Sequence, residues 1–344
     1  MFRSEPLYRP HELTVRTIYS DLKQRAGAAG DLLPGTPGTL VKRATAEGYE
    51  YWYRSYYPIP KRRVEVIVGR ADDAAAYDSM RQRMNYAAWA AKQVAALSKL
   101  GFQSADKEVA AVLVELHNRH VFEAGLTVVG TLAYMSWLNE YGAIATAART
   151  QDIDLARGKT LKLAATVPFL SSMMATQLPF HRIPGLPSHN PSTSVKLRGT
   201  DALHVDILAP GPMLGGIIEI PELDWHAQTI PFYDYLLEDV HSAAMLAGGH
   251  CIPIKLPNVR HMVWHKLYSS MQRKSDPAKA EKDLIQAATL AAILIEQDSV
   301  DLKESYCEAP QALREATVSR MPRVRSLLSQ HPQALDAFDS LSGG

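Results

Sequence analysis

The chain has 344 residues, 47% hydrophobic and 21% charged, with a formal net charge of +1; this is the balance of a folded globular protein rather than a disordered one. A net charge so close to zero excludes polyanion binding through the overall field, so any nucleic-acid contact must be a local patch. Cys251 and Cys307 are the only cysteines, which excludes a disulfide framework or cysteine-rich zinc site and fits a reducing cytoplasm. The opening MFRSEPLYRP has no apolar h-region, and no stretch reaches the ~18 apolar residues of a membrane span. A cytoplasmic protein without a membrane partner is expected.

Residues 1–38 read as a polar helix around Glu12 to Gln24 and then the loop GAAGDLLPGTPG. From Thr39 to Val68 the pattern changes to TLVKRAT, YEYWYRSYY and RRVEVIVG, broken at Glu47-Gly48 and Pro58-Ile59-Pro60-Lys61. That is a small antiparallel meander. Its middle strand carries Tyr49, Tyr51, Trp52, Tyr53, Tyr56 and Tyr57, with Lys61, Arg62 and Arg63 following. Such a set either pairs across strands and packs or stacks on bases and holds phosphates. Asp72–Leu100 and Ser104–His120 read as two Ala-rich helices.

Leu126–Val129 is long enough for one buried strand. Gly130-Thr131 breaks it, and Leu132–Glu140 reads as a helix ended by Tyr141-Gly142. In Gln151-Asp152-Ile153-Asp154-Leu155 polar and apolar residues alternate, so a strand projects Asp152 and Asp154 to one side. Two carboxylates held together repel, and a cation between them relieves this. Hard oxygen ligands suit Mg²⁺ or Mn²⁺. Farther on, Ser171–Leu178 reads as a short helix, and 180–182 with 196–198 as a strand pair. That pair leads into the alternating His204–Leu208, with Asp206 on the polar side. Cys251–Pro257 reads as a last strand whose prolines confine it to a sheet edge.

Helical pattern resumes at Asn258. Ser275-Asp276-Pro277 signals a helix start, and Leu284, Ala287, Ala288, Ala291 and Leu294 form the apolar stripe. His261 and His265, at i and i+4, permit a zinc pair, although the Glu of the metalloprotease signature is absent. Residues 296–344 are helical and then polar, with Ser342-Gly343-Gly344 as a tail.

A strand, Gly-Thr opening a helix, Asp-x-Asp on the next strand and Asp206 on a later one resemble the nucleotidyltransferases of the DNA polymerase β superfamily. There the pair is usually Gly-Ser or Gly-Gly. His265-Lys266-Leu267, Arg273, Lys279 and Lys282-Asp283-Leu284 are similar to the back half of a bacterial nucleotidyltransferase family that includes abortive-infection toxins. The resemblance implies an α+β fold: a polymerase-β-like mixed sheet with helices, a C-terminal helical part and the small N-terminal meander. It divides the chain into 1–120, a catalytic core at 121–257 and a helical region at 258–344. Asp152, Asp154 and Asp206 are then the metal ligands for two ions, Mg²⁺ or Mn²⁺. Gly130 and Thr131 meet the phosphates of an NTP substrate, and Lys266, Arg273 and Asp283 belong to the nucleotide site. The implied reaction is NMP transfer to an acceptor, RNA or tRNA before protein, with a cognate antitoxin as a partner. A non-catalytic nucleotide-binding module is the alternative.

Overall fold

In the computed structural model, which describes residues 5–59, 61–146, 150–185, 187–199 and 202–341, the N-terminal elements follow the expected order. Strand β1 (Tyr8–Pro10) leads into helix α1 (Leu13–Ala28). Strands β2 (Thr39–Ala44), β3 (Glu50–Ile59) and β4 (Arg62–Arg70) form the antiparallel meander with β3 in the middle. Pro60 of its second turn and the tail Ser342–Gly344 lie outside the described residues. Helices α2 (Ala74–Lys99) and α3 (Lys107–Asn118) follow, and the Asp73 carboxylate caps α2 by accepting from Ala76 N.

Part of the meander's aromatic and basic set packs within the fold. Trp52 lies 4.8 Å from Tyr77 of α2, ring to ring. Arg62 donates to the backbone and side-chain oxygens of Gln177, and Arg63 to Ser55 and Glu65. Arg54 is buried, and its guanidinium donates to the carbonyls of Pro34, Thr36 and Pro37. It thereby ties the Gly/Pro-rich loop to the middle strand, where a Cβ on Gly35 or Gly38 would strike the backbone of Tyr57 or Ser55.

The central part comprises β5 (Leu126–Val128), α4 (Gly130–Glu140), β6 (Ala143–Ala145), β7 (Asp152–Arg157) and α5 (Phe169–Ala175). Then come β8 (Phe180–Arg182), β9 (Ser194–Leu197), β10 (His204–Pro210), β11 (Ile217–Ile220) and β12 (Trp225–Ile230). A seven-stranded mixed sheet runs β11-β12-β10-β7-β5, with β9 also on β10 and β8 on β9. Short helix α6 (Tyr233–Leu236) precedes a separate antiparallel hairpin of β13 (Val240–Ala247) and β14 (His250–Pro257). The strand expected at Cys251–Pro257 therefore edges this hairpin and not the main sheet. In a two-stranded sheet each strand has a free side, which accommodates Pro253 and Pro257. Helix α4 begins at Gly130, two residues earlier than expected, because the glycine's φ of +67° turns the chain directly from strand into helix.

Helices α7 (Val259–Gln272) and α8 (Pro277–Asp298) then pack together. The Asn258 side chain caps the first and Asp276 the second, with Pro277 in the first turn. Four short helices, α9 (Leu302–Glu308), α10 (Gln311–Thr317), α11 (Met321–Leu327) and α12 (Pro332–Ser340), complete the chain. Ile153, Leu155, Val205 and Ile207 are fully buried in the main core with α3, α4, α7 and α8. The non-polar members of the alternation thus fix the sheet and leave its polar members on the opposite face. No helix among the described residues is long and apolar enough to cross a membrane.

Arg54→Ala should lower the unfolding free energy by about 1–3 kcal/mol, because it strands buried carbonyls without donors. Urea denaturation measures this, and nucleotide binding should not change.

Candidate active site

Strands β7 and β10 are parallel neighbours, with His204 opposite Asp152 and Asp206 opposite Asp154. The three aspartates therefore project from one face of two adjacent strands. Burial, then the charges of Asp206 and Asp152, push the Asp154 carboxyl up to about 7. Burial also raises Asp206, although the Ser194 hydroxyl donates to its Oδ1 and partly offsets this. Asp152 Oδ1 faces His204 Nδ1 at 3.3 Å. With Asp206 turned to Ser194 and Asp152 to His204, no group of three His, Cys, Asp or Glu among the described residues is gathered tightly enough to hold an ion. The donor chemistry nevertheless fits a divalent cation: hard oxygens only, and a buried carboxylate whose charge its neighbours disfavour. Gly130 closes over this face. A Cβ there would collide with Asp154 Oδ2, so the position requires glycine for space as well as for φ.

The opposing wall is cationic and comes from α7 and α8. Lys266 Nζ donates to Asp283 Oδ1 at 2.9 Å and Arg273 Nε to Asp283 Oδ2 at 2.7 Å. Burial works to raise Asp283, but the two cations outweigh it and hold the carboxyl below its ordinary range. Lys282 Nζ donates to Thr131 Oγ1 at 3.2 Å. Burial, followed by the Lys266 charge, lowers its ammonium pKa. His261 and His265 point to separate carbonyls, Nδ1 of the first to Tyr235 O at 2.7 Å and Nε2 of the second to Pro231 O at 3.3 Å. Each ring nitrogen facing a carbonyl is a donor, so the i, i+4 pair anchors α7 to the α6 segment and is not a zinc pair. Burial brings the His265 pKa down to about 4, which keeps its ring neutral.

Between the walls lies a cleft of about 510 Å³. Gly130, Asp154, Asp206, Lys266, Arg273 and Asp283 line it, six of the residues singled out in the sequence. Asp152 stands beside Asp154 on β7, and Thr131 is one residue beyond Gly130, held by Lys282. Leu208, Ile230, Met262 and Tyr268 give the cleft an apolar side. Sequence reasoning did not assign Lys279, Lys282 or Tyr233 to the site. Lys279 and Tyr233 line the cleft, and the buried Tyr233 hydroxyl is raised by burial first and by Asp154 next. A usable signal existed on α8, since Lys279, Lys282, Asp283 and Gln286 recur at i, i+3, i+4 and i+7 and so share a helical face.

Asp283→Asn should cost about 3–5 kcal/mol near neutral pH, because it leaves the buried Lys266 charge uncompensated. Since the folded carboxyl lies below its unfolded value, its contribution is complete above about pH 4 and is lost as pH falls through the folded value. The stability gap between wild type and variant, read by denaturant unfolding, should be flat from pH 5 to 8 and narrow below pH 4.

Neither the curated proteins nor the solved structures searched gave a match to this chain. A family model described as nucleotidyltransferase matches residues 107–311, more than half of the 344 residues, and spans every site residue from Gly130 to Asp283. With aspartates on one wall of the cleft and a cationic wall opposite, the chain belongs to this nucleotidyltransferase family and is an NTP-dependent transferase of that type.

Proposed function

We propose that this protein transfers NMP from an NTP to an acceptor hydroxyl, with RNA the preferred acceptor. The observation that carries the reading is the register of Asp154 against Asp206 across a cleft from Lys266 and Arg273. The acceptor oxygen bonds to the α-phosphorus, the α–β phosphoanhydride breaks, and pyrophosphate leaves. Asp152, Asp154 and Asp206 would hold two divalent cations, Mg²⁺ or Mn²⁺, which when bound neutralise α-phosphate charge and polarise the attacking and leaving oxygens. Asp206, raised by burial, accepts the acceptor's proton. Gly130 lets the backbone approach the phosphates, and the first-turn amides of α4 meet them at Thr131. Lys266 and Arg273, oriented by Asp283, face the leaving group.

The choice of RNA rests on the exposed cations Arg273 and Lys279 that line the cleft, with Lys274 next to Arg273 in the chain, where α7 gives way to α8. The similarity to abortive-infection toxins favours a tRNA end and a cognate antitoxin partner.

Asp152→Asn and Asp154→Asn should each reduce transfer on the order of 100-fold or more, the scale of losing one transition-state charge contact. Both should stay folded, and metal-free Asp154→Asn should melt higher than wild type because a buried like charge is gone. Transfer of labelled NMP to total RNA with Mg²⁺, beside thermal melting, tests both, and undiminished transfer would remove the carboxylates from the mechanism.

RNA binding should lose roughly 0.7 in log–log salt slope per phosphate contact removed. We expect Lys274→Ala with Lys279→Ala to show that loss. Replacing Lys61, Arg62 and Arg63 should change the slope little, since Arg62 and Arg63 already serve Gln177, Ser55 and Glu65. An unchanged salt slope in the double variant would remove these lysines from RNA binding, and labelling of protein but not of RNA by wild type would instead favour a protein hydroxyl.

A further inference from the structure

The polar face that carries the aspartates does not end with them. Strand β9 lies antiparallel on β10, with Ser194 opposite Asp206 and Lys196 opposite His204. Strand β8 lies antiparallel on β9, with His181 opposite Lys196. Residues opposite one another in a ladder point to the same face. One row therefore crosses three strands as Asp154, Asp206 and Ser194. A second crosses four as Asp152, His204, Lys196 and His181. Burial agrees, because the intervening Ile153, Val205 and Val195 are fully buried on the other face. Asp152, His204 and Lys196 are half-buried and His181 is exposed, so the second row opens to solvent. Along it the chemistry passes from acid to base.

The two rows stand differently toward the cleft. Asp154 and Asp206 line it, as do Leu208 and its cross-strand partner Gln228 farther along the same face. Among the described residues that line it, none comes from β8 or β9, and neither Asp152 nor His204 is there. Lys266 and Arg273, which face the leaving group, belong to the cleft side. In-line displacement puts the attacking and leaving oxygens on opposite sides of the phosphorus. With pyrophosphate leaving into the cleft, the acceptor reaches the α-phosphate from the other side of Asp206, where the second row begins. An RNA end arriving there brings phosphates. The Asp152 end of the row repels them, while the Lys196 ammonium attracts them and the His181 imidazole offers an N–H.

We propose that the 3′ end of the acceptor RNA lies across the β10–β9–β8 face, with its terminal hydroxyl at Asp206 and its preceding phosphates on Lys196 and His181. This deepens the transfer reading above and rests on it for the position of the α-phosphate. The cations of the α7–α8 turn add to binding, and this face sets where the end lies.

A short single-stranded oligoribonucleotide with a photoreactive thiouridine beside its 3′-terminal nucleotide tests the placement directly. Irradiated with wild type, it should crosslink to β8 or β9, and crosslinks confined to α7 and α8 would overturn the proposal. Lys196→Ala should raise the KM for the oligoribonucleotide about 10-fold, the scale of a charge-assisted contact, and His181→Ala about 3-fold, that of a neutral one. The loss should appear in KM and not in kcat, with NTP affinity as in wild type. Lys196→Arg should recover part of it. A wild-type KM in both alanine variants, or a fall in kcat and NTP affinity alongside, counts against an acceptor surface. The same measurements separate this surface from the transfer reading. Wild type that crosslinks through β8 and β9 but labels no RNA overturns transfer and keeps the surface. Wild type that labels RNA while crosslinking elsewhere overturns the surface alone, and wild type that neither binds nor labels RNA overturns both the surface and RNA as the acceptor.

Discussion

Asp154 and Asp206 face each other across two parallel strands, both half-buried at the cleft, with Asp206 and Asp152 raising Asp154's cost of ionisation and Asp152 raising that of Asp206. A fold can sustain that pairing only if something else fixes the strands. Here the alternate residues Ile153, Leu155, Val205 and Ile207 do so, fully buried on the other face. The apolar half of each strand stabilises the sheet while the acidic half strains it. The remaining constraints follow from the same pair. Gly130 cannot carry a side chain because Asp154 fills the space, and α4 must start where the strand ends. The helices across the cleft must supply positive charge.

Those helices hold their charge through Asp283. A lysine ammonium with little solvent around it is costly to place on a helix face. Asp283 offsets that cost by accepting from Lys266 and Arg273 at once, with a separate oxygen for each. Because Lys266 comes from α7, Arg273 from the residue that ends it and Asp283 from α8, the network also fixes the relative position of the two helices. Their other contacts are mainly apolar, as in the stripe Leu284, Ala287, Ala288 and Ala291, which defines a face but a less directional register. The ion pairs supply the direction.

Much of this was legible in the sequence because it is written in periodicity. Strand alternation at 151–155 and 204–208 pointed to all three aspartates, while the helical pattern from Asn258 and the start signal at Ser275-Asp276-Pro277 located α7 and α8. The meander was equally visible, although its middle strand runs on through Pro58 to Ile59, where a break was expected. What periodicity cannot supply is the partner of a side chain. Lys61, Arg62 and Arg63 read as a basic patch, yet Arg62 reaches Gln177, more than a hundred residues away. His261 and His265 read as a possible metal pair because they share a helix face, but each finds a carbonyl of the preceding segment first. Lys282 escaped assignment for the same reason: its meaning depends on Thr131, which only the tertiary fold brings near. The hairpin strand β13 was missed because its partner β14 carries prolines that made a sheet edge the simplest reading.

The division of the site into two walls of opposite charge has a consequence for how it fills. A divalent cation arriving alone would meet the aspartates but also the field of Lys266, Arg273 and Lys279 across the cleft. A triphosphate arriving alone would meet those cations but also the aspartates. Each is attracted by one wall and repelled by the other, and in a partly buried cleft neither force is well screened. Together they cancel, with cation on the carboxylates and phosphate on the lysines. On the transfer reading proposed above, binding of the two would be linked, and reciprocally so: by whatever factor the cation tightened the nucleotide, the nucleotide would tighten the cation. On that reading such a site would have little affinity for either component by itself, and the repulsion that Asp206 exerts on Asp154 would be relieved only with cation and nucleotide both bound.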